Sequence, residues 1–552
     1  MKQQIQPTRQ IQPAHPADLA DDPIFLEVFW ARIRSIVNEA AKMIVRTSFS
    51  TLSTEANDFA VVLTDSHGRS LSENSGSIPS FIGTLPRTAQ AAIAHFGKEN
   101  MRPGDVFITN NPWIGTGHLN DVTMIKPLFH QGSIVAFAAS TAHVPDIGGK
   151  IRSVDTRELF EEGFHMPLMH FLREGKDDET LLRLLRTNVR TPEQTVGDIW
   201  AQVGALELIG RRLDALLSEY GMAVIDPLAH ALFERSEAAM RAAIQALPDG
   251  KYRYEMQTDG FEEPFRYAIE LRIEGDTITC DYDGTSPQQP RGINCVLAYT
   301  TAMSAYAIKA LLLPDLPNND GLFRPIAVTA PAGSLLNPRE PAPVGGRSCT
   351  GHYVPTVVFG AMVQVLPEAV IGGAGSPLWV TNFSGTRDNG KPFATVLFYN
   401  GGMGGSARKD GASVMAWPSN ISPTPVEVAE REAPLLFKYK ALRGDSGGTG
   451  RHRGGLGQEV CFVSRHATPM SVIFMAERTK IAAPGIAGGG EGICGEVLIN
   501  GAAIDNRKTH WVQPGDEIIL RTPGGGGYGP PRERDRSHVE HDQRQGYAGR
   551  SV

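Results

Sequence analysis

Two strand-forming runs joined by a very short turn limit the folds open to this chain. The runs are Val122–Phe129 and Ile134–Val144, and His130-Gln131-Gly132 lies between them. Two such runs separated by a short turn that contains glycine are typical of an antiparallel hairpin. We therefore predict that the two runs pair with each other.

The turn determines which residues of the hairpin face one another. With the turn centred near Gln131, opposed residues have numbers that sum to roughly 262, within one or two. This register places Asp121 opposite Thr141 and His143 opposite Leu119. Opposed side chains lie about 5 Å apart at Cβ, so residues of the two strands can meet at one point.

The hairpin gathers three potential metal ligands. His118 lies at the entry to the first strand, just before Asp121, and His143 lies near the end of the second strand. Two imidazoles and a carboxylate suit a borderline divalent metal with open coordination positions. Spacing alone leaves the alternative open that all three residues have structural roles.

Size and charge indicate a soluble protein of several domains. The 552 residues are enough for about three or four domains. The net charge of −7 and the absence of a basic stripe argue against a nucleic-acid partner. The five cysteines are widely spaced and form no CxxC pair, which fits a reducing, cytoplasmic location.

The pattern of apolar, Gly and Pro residues predicts an α+β, multi-domain fold. It has a mixed α/β N-terminal half that carries the hairpin and a β-rich, glycine-rich C-terminal half. The apolar run Val296–Leu313 contains polar residues, so it is interpreted as a buried helix and not as a membrane span. The predicted divisions are a flexible tail at 1–22, a metal-site domain at 23–180, a helical segment at 181–250, a β-rich domain with inserted helices at 251–530, and a mobile tail at 531–552.

The glycine-rich stretches do not match the common nucleotide motifs. The sequence contains no GxxxxGK[ST] loop, and GxGxxG occurs at 490–495 and 524–529 without an evident following helix. These stretches are interpreted as close-packed loops of the β-rich region. Arg347, in a Gly-Gly-Arg-Ser loop, could pair with a substrate carboxylate, and an exposed loop arginine is the alternative.

Several motifs in consecutive order resemble those of one family. Residues 104–123 and 188–194 resemble signatures of the hydantoinase B/5-oxoprolinase family, and the resemblance covers roughly residues 25 to 530. Further matching segments are 283–287, 319–326, 333–338 and 445–457.

The resemblance implies a hydantoinase B-type component of an ATP-dependent enzyme that acts on cyclic amides. A companion hydantoinase A-type subunit would bind ATP and activate the substrate, in a hetero-oligomer of A2B2 type. In related acetone and acetophenone carboxylases, an HxxD pair and a later His hold manganese. That pattern falls here on His118, Asp121 and His143, and Asp58 matches a further ligand or close neighbour.

The resemblance leaves the chemistry at this site open in several respects. The metal is manganese, zinc or iron, with manganese preferred, and Asp58 or Asp146 is the candidate base or a partner that orients a histidine. His118-Leu-Asn-Asp121 departs from the frequent HLPD, and Ser77–Phe81 lacks histidines that many members have. The competing functions are that of a ketone carboxylase component and that of a non-catalytic scaffold for the ATP-binding partner.

Overall fold

The computed structural model describes residues 20–387 and 389–549, so most of the predicted tail at 1–22 lies outside the described residues. The first long helix, Pro23–Thr47, begins after Asp22, whose side chain accepts the N–H groups of Ile24 and Phe25. Its apolar face is buried, as the helical spacing predicts. The face packs on the helix Pro192–Tyr220.

A seven-stranded antiparallel sheet forms the centre of the N-terminal half. Every residue of its strand Phe59–Asp65 is buried, which means that both faces of the sheet are covered. Pro192–Tyr220 packs on the central strands of this sheet. In spatial order the strands are β2 (Ser70–Glu73), β1 (Phe59–Asp65), β5 (Ser133–His143), β4 (Asp121–His130), β3 (Val106–Thr109), β6 (Met169–Arg173) and β7 (Lys176–Asp177).

The predicted hairpin is confirmed as β4 and β5, and its register lies at the edge of the predicted range, two residues from the central pairing. Asp121 pairs directly with His143 and not with Thr141. The turn consists of Gln131 and Gly132, whose φ angles are 49° and 82°, so its centre lies beyond Gln131. A bulge near the turn adds a further residue to β5. Together the position of the turn and the bulge place Asp121 and His143 directly opposite each other.

A four-stranded sheet follows and shares the main hydrophobic core. The helices Leu297–Leu312 and Val354–Met362 pack against each other, and the second of them covers the sheet. The first matches the buried helix predicted from the sequence. In spatial order the strands are β11 (Ile326–Thr329), β10 (Thr277–Asp281), β9 (Phe265–Glu274) and β8 (Gly250–Thr258).

Two further sheets enclose a second hydrophobic core. Residues of β12 alternate between the cores: Trp379 and Phe383 face the second core, whereas Val380 belongs to the main one. One sheet has the order β13 (Pro392–Tyr399), β12 (Trp379–Thr386), β16 (Met470–Met475), β19 (Thr509–Val512). The other has the order β14 (Leu435–Leu442), β15 (Gln458–Ser464), β20 (Glu517–Arg521), β17 (Glu496–Ile499), β18 (Ala502–Ala503).

The glycine-rich segments pack backbone against backbone. Gly525 donates its N–H to the carbonyl of Gly455 at 2.9 Å and accepts the N–H of Gly448 at 2.8 Å. A Cβ added to Gly525 would lie 2.2 Å from the carbonyl oxygen of Met403. Only glycine allows so close an approach, and the predicted close packing of these loops is confirmed.

The C-terminal segment differs from the predicted mobile tail. The helix Arg536–Gln545 is capped by Asp535 and ends at Gly546 in the left-handed conformation. Asp542 on this helix is buried and pairs with Arg453 and Arg534. The pair with Arg453 is a long-range contact that the polar composition of the segment does not reveal.

The multi-domain α+β class predicted from the sequence is confirmed. Among the helices of the described residues, none combines the length and apolarity needed to cross a bilayer. The remaining helices and helical turns are Thr51–Thr54, Pro79–Ile82, Leu85–Phe96, Lys98–Asn100, Leu159–Glu161, Glu179–Asn188, Asp226–Gln245, Asp320–Phe323, Ser348–Gly351, Val426–Glu432 and Pro531–Glu533.

Candidate metal centre

The hairpin brings His118, Asp121 and His143 together at one end of the central sheet. Asp121 begins β4 and His143 ends β5 directly opposite it. Asp121 Oδ1 lies 2.7 Å from His118 Nε2 and 3.0 Å from His143 Nδ1. Each side chain offers a ligand atom within 4.8 Å of the others, and each residue is only 1% exposed.

The second oxygen of Asp121 fixes the orientation of its carboxylate. Oδ2 accepts hydrogen bonds from Thr116 Oγ1 and from Arg347 Nη2. Burial acts to raise the pKa of Asp121, but His118 and the Arg347 guanidinium hold it well below its usual value. Asp121 is therefore an ionised carboxylate inside the protein.

The two imidazoles lie buried against the carboxylate of Asp121. Burial, and then the positive charge of Arg347, hold the pKa of His118 well below its usual value, so the ring is neutral. The Nε2 atom of His143 is buried and forms no hydrogen bond, whereas that of His118 lies against Asp121 Oδ1. Buried polar atoms without partners are rare in folded proteins. Two buried imidazoles beside an ionised carboxylate, one of them with such an atom, fit a divalent metal.

Asp58 lies next to this cluster but outside the group of three. It immediately precedes β1, and its carbonyl oxygen accepts the N–H of His143 at 3.0 Å. The residue is buried, and burial raises the pKa of its carboxyl group, against the opposing effect of His143 and Arg152. The structure therefore places Asp58 as a close neighbour of the potential ligands.

Asp146 has other partners than the histidines. Its carboxylate accepts hydrogen bonds from the side chain and backbone of Arg190 and from the N–H of Gly148. Its carbonyl oxygen accepts a bond from Thr195 at 2.9 Å. These contacts join the segment after β5 to the start of the helix Pro192–Tyr220. The surroundings of Asp146 are therefore those of a residue that holds these two segments together.

Arg347 is not the exposed loop residue that the sequence left as an alternative. It is 3% exposed, and its guanidinium carbon lies 4.6 Å from the centroid of the Tyr299 ring. Its Cδ would be 2.6 Å from a Cβ at Gly117, a residue with φ of 103°. The tight fit explains why glycine stands immediately before His118.

The loop that carries Arg347 forms one wall of the cluster. The carbonyl oxygen of Gly345 lies 3.4 Å from His118 Nδ1. Glu162 holds this loop, because its Oε1 accepts the N–H groups of Val344 and Gly345 at 2.8 Å each. Sequence reasoning missed Thr116 and Glu162, and neither belongs to a spacing pattern that would single it out.

The fold and this cluster together define a class of protein. The chain is a multi-domain α+β protein in which a strand pair presents a buried His-Asp-His donor set. Comparison with known proteins narrows the class further. A family model described as Hydantoinase B/oxoprolinase matches residues 22–531, and the chain belongs to this family.

Named relatives resemble the chain along almost its whole length. A Pseudomonas sp. protein, provisionally named as the B component of a D-/L-hydantoinase, is 31% identical over 560 residues, which cover 95% of this chain and 93% of the relative. The 5-oxoprolinase of Saccharomyces cerevisiae is 31% identical over 93% of this chain and 42% of the yeast protein.

Two solved structures share the fold. The ATP-dependent caprolactamase from Pseudomonas jessenii has a TM-score of 0.85 at 26% identity, over 96% of this chain and 94% of that one. Nucleotide-free acetone carboxylase has a TM-score of 0.88 at 20% identity, over 96% of this chain and 78% of that one. At 20% identity the second likeness concerns the fold alone.

Proposed function

We propose that this chain is the hydantoinase B-type component of an ATP-dependent cyclic amide hydrolase. In this proposal a separate A-type subunit activates a hydantoin, 5-oxoproline or lactam ring with ATP, and this chain opens the ring. The buried His118, Asp121 and His143 cluster carries the proposal. It is the donor set expected from the resemblance, in a family whose members are named as hydantoinases and oxoprolinases.

The three residues of the cluster would hold one divalent ion, with manganese preferred over zinc and iron. The ion would supply Lewis-acid polarisation of the amide carbonyl. Asp121 supplies the negative charge, and Arg347 and Thr116 fix its orientation through the second carboxylate oxygen. Such outer contacts orient ligands and tune their affinity.

Asp58 is the favoured residue for moving a proton during ring opening. It lies beside His143, and burial raises its pKa from the range of an ordinary carboxyl group. A raised carboxyl pKa brings the group nearer to the pH at which a general base or acid works well. Asp146 is assigned a positioning role, because Arg190 and Gly148 occupy its carboxylate.

Two observations support a division of labour between this chain and a separate ATP-binding subunit: the motifs in its sequence and the share of its relatives that it covers. Its sequence has no phosphate-binding loop of the GxxxxGK[ST] form. It covers 93% of the Pseudomonas sp. hydantoinase component but only 42% of yeast 5-oxoprolinase. The yeast chain thus has room for a second module. We propose an A2B2 complex.

Reconstitution of the full chain with an A-type subunit tests the proposal. We expect ATP-dependent release of a ring-opened product from hydantoin, 5-oxoproline or caprolactam. His118→Ala should abolish this activity. His130→Ala should preserve it, because His130 pairs with Asp214 at the opposite end of the same hairpin.

Two results would contradict the proposal. Ring opening by the isolated chain without ATP would contradict the division of labour. Bicarbonate-dependent formation of a carboxylated ketone, without amide hydrolysis, would assign the chain to the competing ketone carboxylase function. The caprolactamase, at 26% identity, resembles this chain more in sequence than acetone carboxylase does, which favours hydrolysis.

A further inference from the structure

Arg152 occupies an unusual position near the candidate metal centre. It is 4% exposed and has a φ of 42°, a backbone conformation that residues other than glycine rarely adopt. Its carbonyl oxygen accepts a hydrogen bond from Asn382 Nδ2 at 2.9 Å, which ties it to β12. Strained residues that the surrounding structure holds in place are concentrated at functional sites.

The guanidinium group of Arg152 has unused donors. Nη2 donates to Ser348 Oγ at 3.3 Å, whereas Nε and Nη1 are buried without a hydrogen-bond partner among the described residues. A guanidinium carries five N–H donors in a planar fork, which matches carboxylate and phosphate oxygens. Unpaired buried donors are costly unless a ligand satisfies them.

The neighbours of Arg152 connect its side chain to the cluster. Ser348, which accepts the one hydrogen bond, directly follows Arg347, the residue that binds Asp121. Nε of Arg347 is also buried and unpartnered. Asp58 acts on Arg152 electrostatically, but the described residues contain no carboxylate oxygen within the 4.0 Å of an ion pair with Arg152.

We propose that Arg152 binds an oxyanion group of the substrate beside the metal centre, assisted by Arg347. This inference rests on the proposed function and narrows its substrates to those that carry an oxyanion when they reach this chain. The oxyanion is either a carboxylate of the cyclic amide itself or a phosphoryl group added during activation. The shared chemistry is two or more oxygens with negative charge, which a guanidinium fork binds.

Calorimetric titration of the metal-loaded full chain tests this assignment with two probes. Inorganic phosphate stands for the phosphoryl group and acetate stands for the carboxylate. We expect the wild-type chain to bind at least one probe, and the tighter one identifies the source of the oxyanion. Arg152→Met should weaken that binding about 10- to 100-fold, which corresponds to the loss of charge-assisted hydrogen bonds.

Two further variants separate binding from general effects of charge or folding. Arg152→Lys retains the charge but not the planar fork, so it should bind with intermediate affinity. Lys150→Met removes a positive charge at an exposed side chain of the same segment and should leave the affinity unchanged. Equal binding by wild type and both Arg152 variants, or no binding of either probe by wild type, would overturn the assignment.

The same experiment distinguishes failure of this inference from failure of the proposed function. Binding of the probes and metal content are measured without a hydrolase assay. Arg152-dependent binding in a complex that opens no cyclic amide would uphold the inference and contradict the function. Ring opening with unaltered KM and kcat in the Arg152→Met complex would uphold the proposed function and contradict the role of Arg152.

Discussion

The carboxylate of Glu162 accepts the backbone N–H of Gly345 at 2.8 Å, and this bond positions the loop that closes the metal centre. The same oxygen accepts the N–H of Val344, also at 2.8 Å. Gly345 in turn places its carbonyl oxygen 3.4 Å from His118 Nδ1. A single buried side chain therefore connects the segment after β5 to the wall of the cluster.

Replacing Glu162 with Ala should loosen this wall. The variant leaves two buried backbone donors without an acceptor, so the free energy of unfolding should fall by about 2–3 kcal/mol. Glu161→Ala is the matched control, because the Glu161 carboxylate makes only exposed contacts, with Lys150 and the N–H of Arg157, and its loss should cost less than about 1 kcal/mol. Urea unfolding measures both. Equal losses in the two variants would mean that Glu162 does not hold the loop.

The pH dependence of stability should also report on Glu162. Burial raises its pKa from 4.5 to about 7, so between these values the folded state binds more protons than the unfolded state. The contribution of Glu162 to stability is fully present below pH 4.5 and is lost as the pH rises through about 7. Glu162→Gln removes this titration.

The stability difference between wild type and Glu162→Gln should therefore change by about 3 kcal/mol across this pH window. The expected direction is a relative gain for Glu162→Gln as the pH rises, because the amide stays neutral. Urea unfolding at a series of pH values from 4.5 to about 8 measures the difference. Parallel curves for the two proteins would refute the raised pKa.

Arg347→Met should destabilise the protein in a metal-dependent way. Without metal, the variant leaves Asp121 buried and without its cationic partner, which costs about 3–5 kcal/mol. A divalent ion compensates the same charge, so metal should stabilise Arg347→Met more than it stabilises wild type. Thermal unfolding with and without Mn²⁺ measures this effect.

The control for Arg347→Met is another buried ion pair far along the chain. Arg453 pairs with Asp542 at 3.2 Å, and both side chains are almost completely buried. Arg453→Met should lose stability by an amount that does not depend on Mn²⁺. A metal response of the same size in both variants would show that Asp121 does not bind the ion.

Asp58→Asn and Asp146→Asn should separate a chemical role from a positioning role. Asp58→Asn should retain metal but lower kcat of the reconstituted complex by about 100-fold or more, as expected for removal of a general base. Asp146→Asn breaks the ion pair with Arg190, so it should lower stability while the folded fraction keeps its kcat. Steady-state kinetics measure kcat, and urea unfolding measures stability. A loss of kcat in Asp146→Asn with a loss of stability alone in Asp58→Asn would exchange the two roles.

The sequence predicts the hairpin and its three polar residues because both depend on local signals. Apolar runs and a short turn with glycine specify β4 and β5, and strand alternation brings Asp121 and His143 to the same end. The register could not be predicted to the residue, since it depends on a bulge that carries no clear sequence signal. Even so, the predicted group of His118, Asp121 and His143 is the group that the structure brings together.

The rest of the site depends on contacts between distant parts of the chain. Arg347 meets Asp121 across 226 residues of sequence, and Glu162 meets Gly345 across 183. Local patterns contain no information about such contacts, which is why the burial of Arg347 was not predicted. The same reason applies to the C-terminal segment, in which Asp542 pairs with the distant Arg453 and Arg534 pairs with the distant Asp410.

Metal content of the purified full chain, measured by mass spectrometry, tests the central claim most directly. We predict one divalent ion per chain in wild type and its loss in His118→Ala, Asp121→Ala and His143→Ala. His130→Ala should keep the ion, because its His-Asp pair lies at the other end of the same hairpin. An unchanged metal content in the three cluster variants, each shown to be folded, would contradict the assignment of this cluster as the metal centre.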